Sequence, residues 1–168
     1  MDTETLRSMQ APLKERYRSA PDAALITLRA DGRIGEGVTC SVATGKAMVE
    51  AGLHPASGGS GMSACSGDML LQALVACAGV TLNAVATSLG LKVRDARVFA
   101  EGDLDFRGTL GVSKEAPVGF RNIRLKFEIE GDLTPEQRAT LLKLTERYCV
   151  VYQTLQNSPH MAAKIIEA

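Results

Sequence analysis

ACSGDMLLQALVACAGVTLNAVATSLGL, residues 64–91, decides how the rest of the chain is read. From Met69 to Leu91 no residue carries a charge. The run is too long for a strand and apolar on most sides, which is the pattern of a helix buried in a core. Ser66 or Asp68 supplies a side-chain oxygen for its orphan N–H groups, and Gly90 is its expected stop. The length also suits a membrane span. Gln72, Thr81, Asn83, Thr87 and Ser88 interrupt the run, however, and the flanking sequence reads as globular. The expectation is therefore a core helix with no membrane partner. Near its middle sits Cys77, which is either a small apolar filler or a thiol placed to react.

The flanks divide on either side of this helix. Residues 3–18 read as a short surface helix that ends near Ala20-Pro21. Leu25, Ile26 and Leu28 then lead to Asp31-Gly32, a dipeptide suited to tight hairpins. Val38, Cys40 and Val42 alternate with polar residues, which predicts a half-buried strand with Cys40 in its core face. A further short strand is expected from Lys46 to Glu50. Residues 52–67 are rich in Gly and Ser and read as a loop. Beyond the helix, LKVRDARVFAEGDLDFRG predicts one or two strands, and TLGVSKEAPVGF a connection. In FRNIRLKFEIEGD, Ile123, Leu125, Phe127 and Ile129 alternate with Arg124, Lys126, Glu128 and Glu130, so one sheet face is wet. Thr134, Pro135 and Gln137 form a capping box. The helix it opens would bury Leu141, Leu142, Leu144, Tyr148, Val151 and Tyr152, with Cys149 inside it or at a bend. AKIIE near the end is a candidate final strand. The order predicts an α+β fold in one domain over 1–168, with 1–20 as a helical extension.

Composition narrows the function. Nineteen basic residues balance nineteen acidic ones, so no electrostatic footprint marks a nucleic acid partner. Trp is absent and aromatics make up 4% of the chain, which argues against a base-stacking platform. No apolar segment opens the sequence, so a signal peptide is not expected and the cytoplasm is the expected location. Four cysteines in a cytoplasmic chain are more simply thiols than a disulfide framework. Their spacing, with only His54 and His160 beside them, suits no metal template, and no metal or cofactor is expected.

The pairing of LLQALVACAGVTL with RYCVVYQTL resembles the OsmC/Ohr family of thiol-dependent peroxidases. The likeness runs from about residue 22 to the end, and the ACSGD-to-CAG and YCVV blocks are its specific parts. It implies an OsmC-like fold: antiparallel sheets wrapped around long central helices in an intertwined homodimer, with active sites at the dimer interface. Carried across by position, Cys77 resembles the peroxidatic cysteine and Cys149 the resolving one. The family pairs a Glu with an Arg from the N-terminal hairpin. Here Asp68, nine residues before Cys77, stands near the place of that Glu, and Arg29 and Arg33 are the candidate cations. Cys65 matches no such position.

Chemistry gives each residue its expected part. A thiolate attacks the O–O bond, yet an ordinary Cys is mostly protonated at neutral pH and burial raises it further. Cys77 lies about 13 Å from the start of its own helix at 1.5 Å per residue, beyond the reach of that dipole. A cation is therefore expected, and an Arg held by Asp68 would serve. Asp68 itself points away from Cys77 on one helix and would act only through that Arg or from a distorted first turn. The sulfenic acid on Cys77 would condense with Cys149. No cofactor is implied beyond an external dithiol or lipoyl-type reductant. The apolar surroundings favour organic hydroperoxides over hydrogen peroxide. The alternative is a non-enzymatic dimer that binds small molecules or thiols, or senses redox state, on the same scaffold.

Overall fold

The computed structural model describes residues 2–5, 7, 8, 10, 11, 19 and 48–167 except 112, together with the backbone of 32–34 and 39–43. Its elements run β1 (Gly32–Ile34), β2 (Thr39–Ala43), β3 (Met48–Gly52), β4 (Ala64–Cys65), α1 (Ser66–Ser88), β5 (Val93–Asp103), α2 (Phe106–Thr109), β6 (Asn122–Gly131), α3 (Pro135–Tyr148) and α4 (Val150–Gln156). Two sheets result, one of four strands in the order β1-β2-β3-β4 and one of two, β5-β6. The class is mixed α and β, as expected.

The uncharged run becomes α1, 23 residues long. Its C-terminus closes as read: Gly90 takes φ +67°, and the N–H groups of Gly90 and Leu91 bond back to Thr87 and Ala86 at 3.1 and 2.9 Å. Glycine fits because a Cβ is disfavoured at that φ. Thr3 adds a tie, its hydroxyl donating to the Thr87 carbonyl at 2.8 Å. The start differs from expectation. Cys65 is the N-cap, and neither Ser66 nor Asp68 caps the helix, because both already lie inside its first turn. Asp68 is exposed there, where its charge complements the helix dipole.

One face of α1 is buried and the other is not. Leu74, Ala78, Leu82, Val85 and Ala86 turn inward. Leu70 and Val80 are exposed, Val80 by 73%. The helix expected to be enclosed on most sides is thus covered on one side by its own chain. By length and composition it could also cross a membrane.

The inward face is covered by β5, β6, α3 and α4. β5 and β6 pair antiparallel from Val93–Gly131 to Asp103–Asn122. The alternation in β6 places Ile123, Leu125, Phe127 and Ile129 against α1. The other face of this ribbon is solvated, and Arg124 and Lys126 bond across to Asp103 and Glu101 at 2.7 and 3.2 Å. Such exposed pairs set register more than they stabilise. The capping box forms as read: the Thr134 hydroxyl accepts from the Gln137 N–H at 3.2 Å, and the Gln137 side chain accepts from the Thr134 N–H at 2.9 Å.

Other expectations need correction. Gly32 lies inside β1, opposite Val42, so Asp31-Gly32 is not the hairpin turn. Residues 35–38, between the two paired strands, lie outside the described residues. Leu25 to Arg29 lie outside the described residues. The next strand runs two residues later than Lys46–Glu50, to Gly52. The Gly/Ser loop holds a 3-10 turn over Pro55–Ser57 and β4, which pairs parallel to β3. His54 caps that turn, its Nδ1 accepting from the Ala56 N–H at 3.0 Å, and stacks on Phe106. The single C-terminal helix is two helices. Leu142 and Tyr148 point out, by 42% and 59%, because only Leu141, Leu144 and Thr145 share the face that meets α1. AKIIE forms no strand within the chain, and Ile165 is fully exposed.

These assignments make a paired prediction. Leu141→Ala removes a side chain with no exposure and should cost about 2–5 kcal/mol in urea unfolding. Leu142→Ala should change stability by no more than about 0.5 kcal/mol. Equal losses would mean that the facing of α3 is misassigned.

Candidate functional site

The site begins with a break in the chain. After Tyr148, Cys149 takes φ −74° and ψ 108°, an extended conformation that ends α3 and becomes the N-cap of α4. Its own N–H still bonds to the Thr145 carbonyl at 2.9 Å, and its carbonyl accepts from Gln153 at 2.9 Å, so the two helices abut without a loop. A new helix start has orphan N–H groups. α4 has no side-chain cap to satisfy them.

Cys77 of α1 meets this start. Burial pushes the Cys77 thiol up, but hydrogen bonds from the Val151 N–H, the Cys149 thiol and the Val150 N–H outweigh it, and the net shift is downward. Thr81 contributes less, since its one hydroxyl proton goes to the Cys77 carbonyl at 2.8 Å. Cys149 moves the opposite way. Burial raises its thiol, and the neighbouring Cys77 raises it further. Cys149 has no solvent exposure, whereas Cys77 is half-buried. Both sulfurs are free thiols, in one cluster with Leu74 and Ala78. A nucleophile needs an accessible, lowered thiol, and a partner that condenses with it should remain a thiol until then.

The structure thus brings together Cys77 and Cys149, 72 residues apart in sequence. It does not bring in Asp68, which is exposed on another side of α1 beside Leu71, Gln72, Val75 and Ala76. Arg29 lies outside the described residues. Arg33 is placed only by its backbone, opposite Ser41 in the four-stranded sheet. The side chain of Cys40 is likewise outside them. Cys65 sits at the start of α1, its sulfur 3.6 Å from where a Cβ on Gly67 would lie. Within the described residues the strongest influences on Cys77 are burial and hydrogen bonds rather than a cation. The start of the helix that carries Cys77 is too far away to act on it. The donors come from the start of a different helix, and no capping residue marked that start in RYCVVYQTL.

A cavity of about 380 Å³ lies nearby, with neither cysteine in its wall. Leu74 and Tyr152 line it and also pack in the cysteine cluster.

Comparison with known proteins follows the same lines. No curated protein matches the chain in sequence. Among solved structures, an OsmC-like protein from Mycoplasma pneumoniae superposes with a TM-score of 0.66 at 16% identity, over 79% of this chain and 89% of that one. An organic hydroperoxide resistance protein from Elizabethkingia anophelis gives 0.65 at 19% identity, over 80% and 91%. An OsmC-like protein of unknown function from Vibrio cholerae gives 0.61 at 13%, over 77% and 94%. These likenesses concern the fold. The family model described as OsmC-like protein matches residues 58–164, which holds α1, both helices of the break and both cysteines, and the chain belongs to that OsmC-like family.

Proposed function

We propose that the chain is a cysteine-based peroxidase that reduces organic hydroperoxides, with Cys77 as the attacking thiolate and Cys149 as the resolving thiol. One observation carries the reading: Cys77 and Cys149 pack in one cluster and shift each other, with the half-buried thiol lowered and the enclosed one raised. The Cys77 thiolate takes the distal oxygen of ROOH, the O–O bond breaks, and the alkoxide leaves with a proton from solvent as ROH. Cys77 is then a sulfenic acid. The Cys149 thiol displaces its hydroxide as water, and the disulfide forms. A dithiol, of small-molecule or lipoyl type, returns both cysteines to thiols. The names of two solved relatives, organic hydroperoxide resistance proteins from Legionella pneumophila and Elizabethkingia anophelis, support the substrate class.

The working unit in this reading is a homodimer in the cytoplasm. The exposed Leu70 and Val80 on α1, and a sheet that has only two strands among the described residues, support a second copy as the cover. That copy is also the proposed route by which Arg29 or Arg33 reaches the thiolate. Asp68 would steady that cation.

Two measurements test the reading. After one equivalent of cumene hydroperoxide, non-reducing peptide mapping should show a Cys77–Cys149 disulfide in the wild type and sulfenic acid on Cys77 in Cys149→Ser. Finding all cysteines unmodified would sink it. Alkylation of Cys77 should rise with pH through a midpoint below that of the same thiol in the unfolded chain, because its folded-state pKa is lowered. Cys149→Ala should move that midpoint up, since a donor to the sulfur is lost. A midpoint at or above the unfolded-chain value in the wild type would contradict the proposed nucleophile.

A further inference from the structure

The break at Cys149 leaves a carbonyl in need of a partner. In a continuous helix each carbonyl accepts from the N–H four residues on. Thr145 keeps that pattern, since its carbonyl accepts from the Cys149 N–H at 2.9 Å. Glu146 comes next, and its helical partner would be Val150. Val150, however, opens α4, and its N–H acts on the Cys77 thiol of α1. The Glu146 carbonyl accepts instead from the Gln153 side chain, whose Nε2 donates to it at 2.9 Å from seven residues away. Glu146 and Gln153 are half-buried, whereas Arg147 and Tyr148 are exposed. A bare carbonyl at Glu146 would therefore cost more than one at the next two positions.

The Gln153 amide is held on both sides. A carbonyl can only accept, so the amide nitrogen must face Glu146 and the amide oxygen must point elsewhere. That oxygen accepts from Asn157 Nδ2 at 3.2 Å. The backbone of Gln153 is tied in the same way. Its N–H donates to the Cys149 carbonyl and its carbonyl accepts from the Asn157 N–H, both at 2.9 Å. One residue thus spans the break, from the last turn of α3 to Asn157, the C-cap of α4.

The alternative partner for the Glu146 carbonyl is the Val150 N–H. Closing that bond would run α3 on into α4 and turn the N–H away from α1. The side-chain donor removes the need for it. Resting on the reading of Cys77 as the nucleophile, we infer that Gln153 is a positioning residue: it replaces the Val150 N–H on the Glu146 carbonyl and so leaves that N–H directed at the Cys77 sulfur. It acts through the backbone of the break. Among the side chains packed around Cys77 in the described residues, Cys149 and Tyr152 are the titratable ones, and those from β5 and β6 are apolar.

The test follows alkylation of Cys77 against pH, read on the Cys77 peptide by mass spectrometry. Gln153→Met keeps the length of the side chain and loses the donor. It should raise the midpoint by about half to one pH unit, the size of one hydrogen bond to the thiolate. Asn157→Ala leaves Gln153 in place but removes the donor to its amide oxygen, and should raise the midpoint by less. Gln156→Gly weakens α4 at its far end and should leave the midpoint at the wild-type value. An unchanged midpoint in both Gln153→Met and Asn157→Ala would overturn the role of Gln153. So would an equal rise in Gln156→Gly, which would make helix stability the cause. Either result, with the wild-type midpoint still below the unfolded-chain value and Cys77 still oxidised by cumene hydroperoxide, leaves the peroxidase reading standing. A wild-type midpoint that is not lowered would overturn both.

Discussion

The contact between Cys77 and the first N–H groups of α4 holds the candidate site together. It exists because the backbone leaves helical geometry at one residue, Cys149, and resumes at the next. Each helix start exposes N–H groups that must find acceptors. The usual acceptor is a Ser, Thr, Asp or Asn oxygen. Here no side chain caps α4, and its Val150 and Val151 N–H groups act on the Cys77 thiol of α1. The same residue that interrupts the helix also carries the second thiol, so acidity and proximity have one structural cause.

The core surrounding this contact is arranged to keep the two thiols different. Cys149 lies under α4 with Leu74 and Ala78 and is wholly enclosed. Cys77, one position before Ala78, looks partly outward. Dehydration disfavours charge on both sulfurs, but only Cys77 receives enough hydrogen bonds to reverse the effect. The second cluster, Leu82, Val85, Ala86 and Leu141, holds α3 against α1 farther along and thereby fixes where the break must fall. Packing two turns away therefore positions the chemistry.

The outer half of α1 has a different character. Its exposed apolar side chains and the separate four-stranded sheet are unusual for a chain that folds alone. They match the proposed dimer, in which an arginine from the hairpin would add to the hydrogen bonds already present. The two sources of thiolate stabilisation are not exclusive, since backbone donors act within one protomer.

Local signals carried much of this protein. The uncharged run with Gly90 behind it, the alternation in Ile123–Ile129, and the Thr134 capping box each state their element in a few adjacent residues, because periodicity and capping are short-range effects. Cys77 and Cys149 were legible as a pair through family resemblance rather than through spacing. Tertiary structure decided the rest. Which side of α1 is covered, why Leu142 faces water while Leu141 does not, and where Asp68 lies depend on elements distant in sequence. The break at Cys149 carries no proline, glycine or capping side chain to announce it. It is set where α3 and α4 both pack on α1, and that packing brings two ordinary backbone N–H groups to act on the Cys77 thiol and lower it.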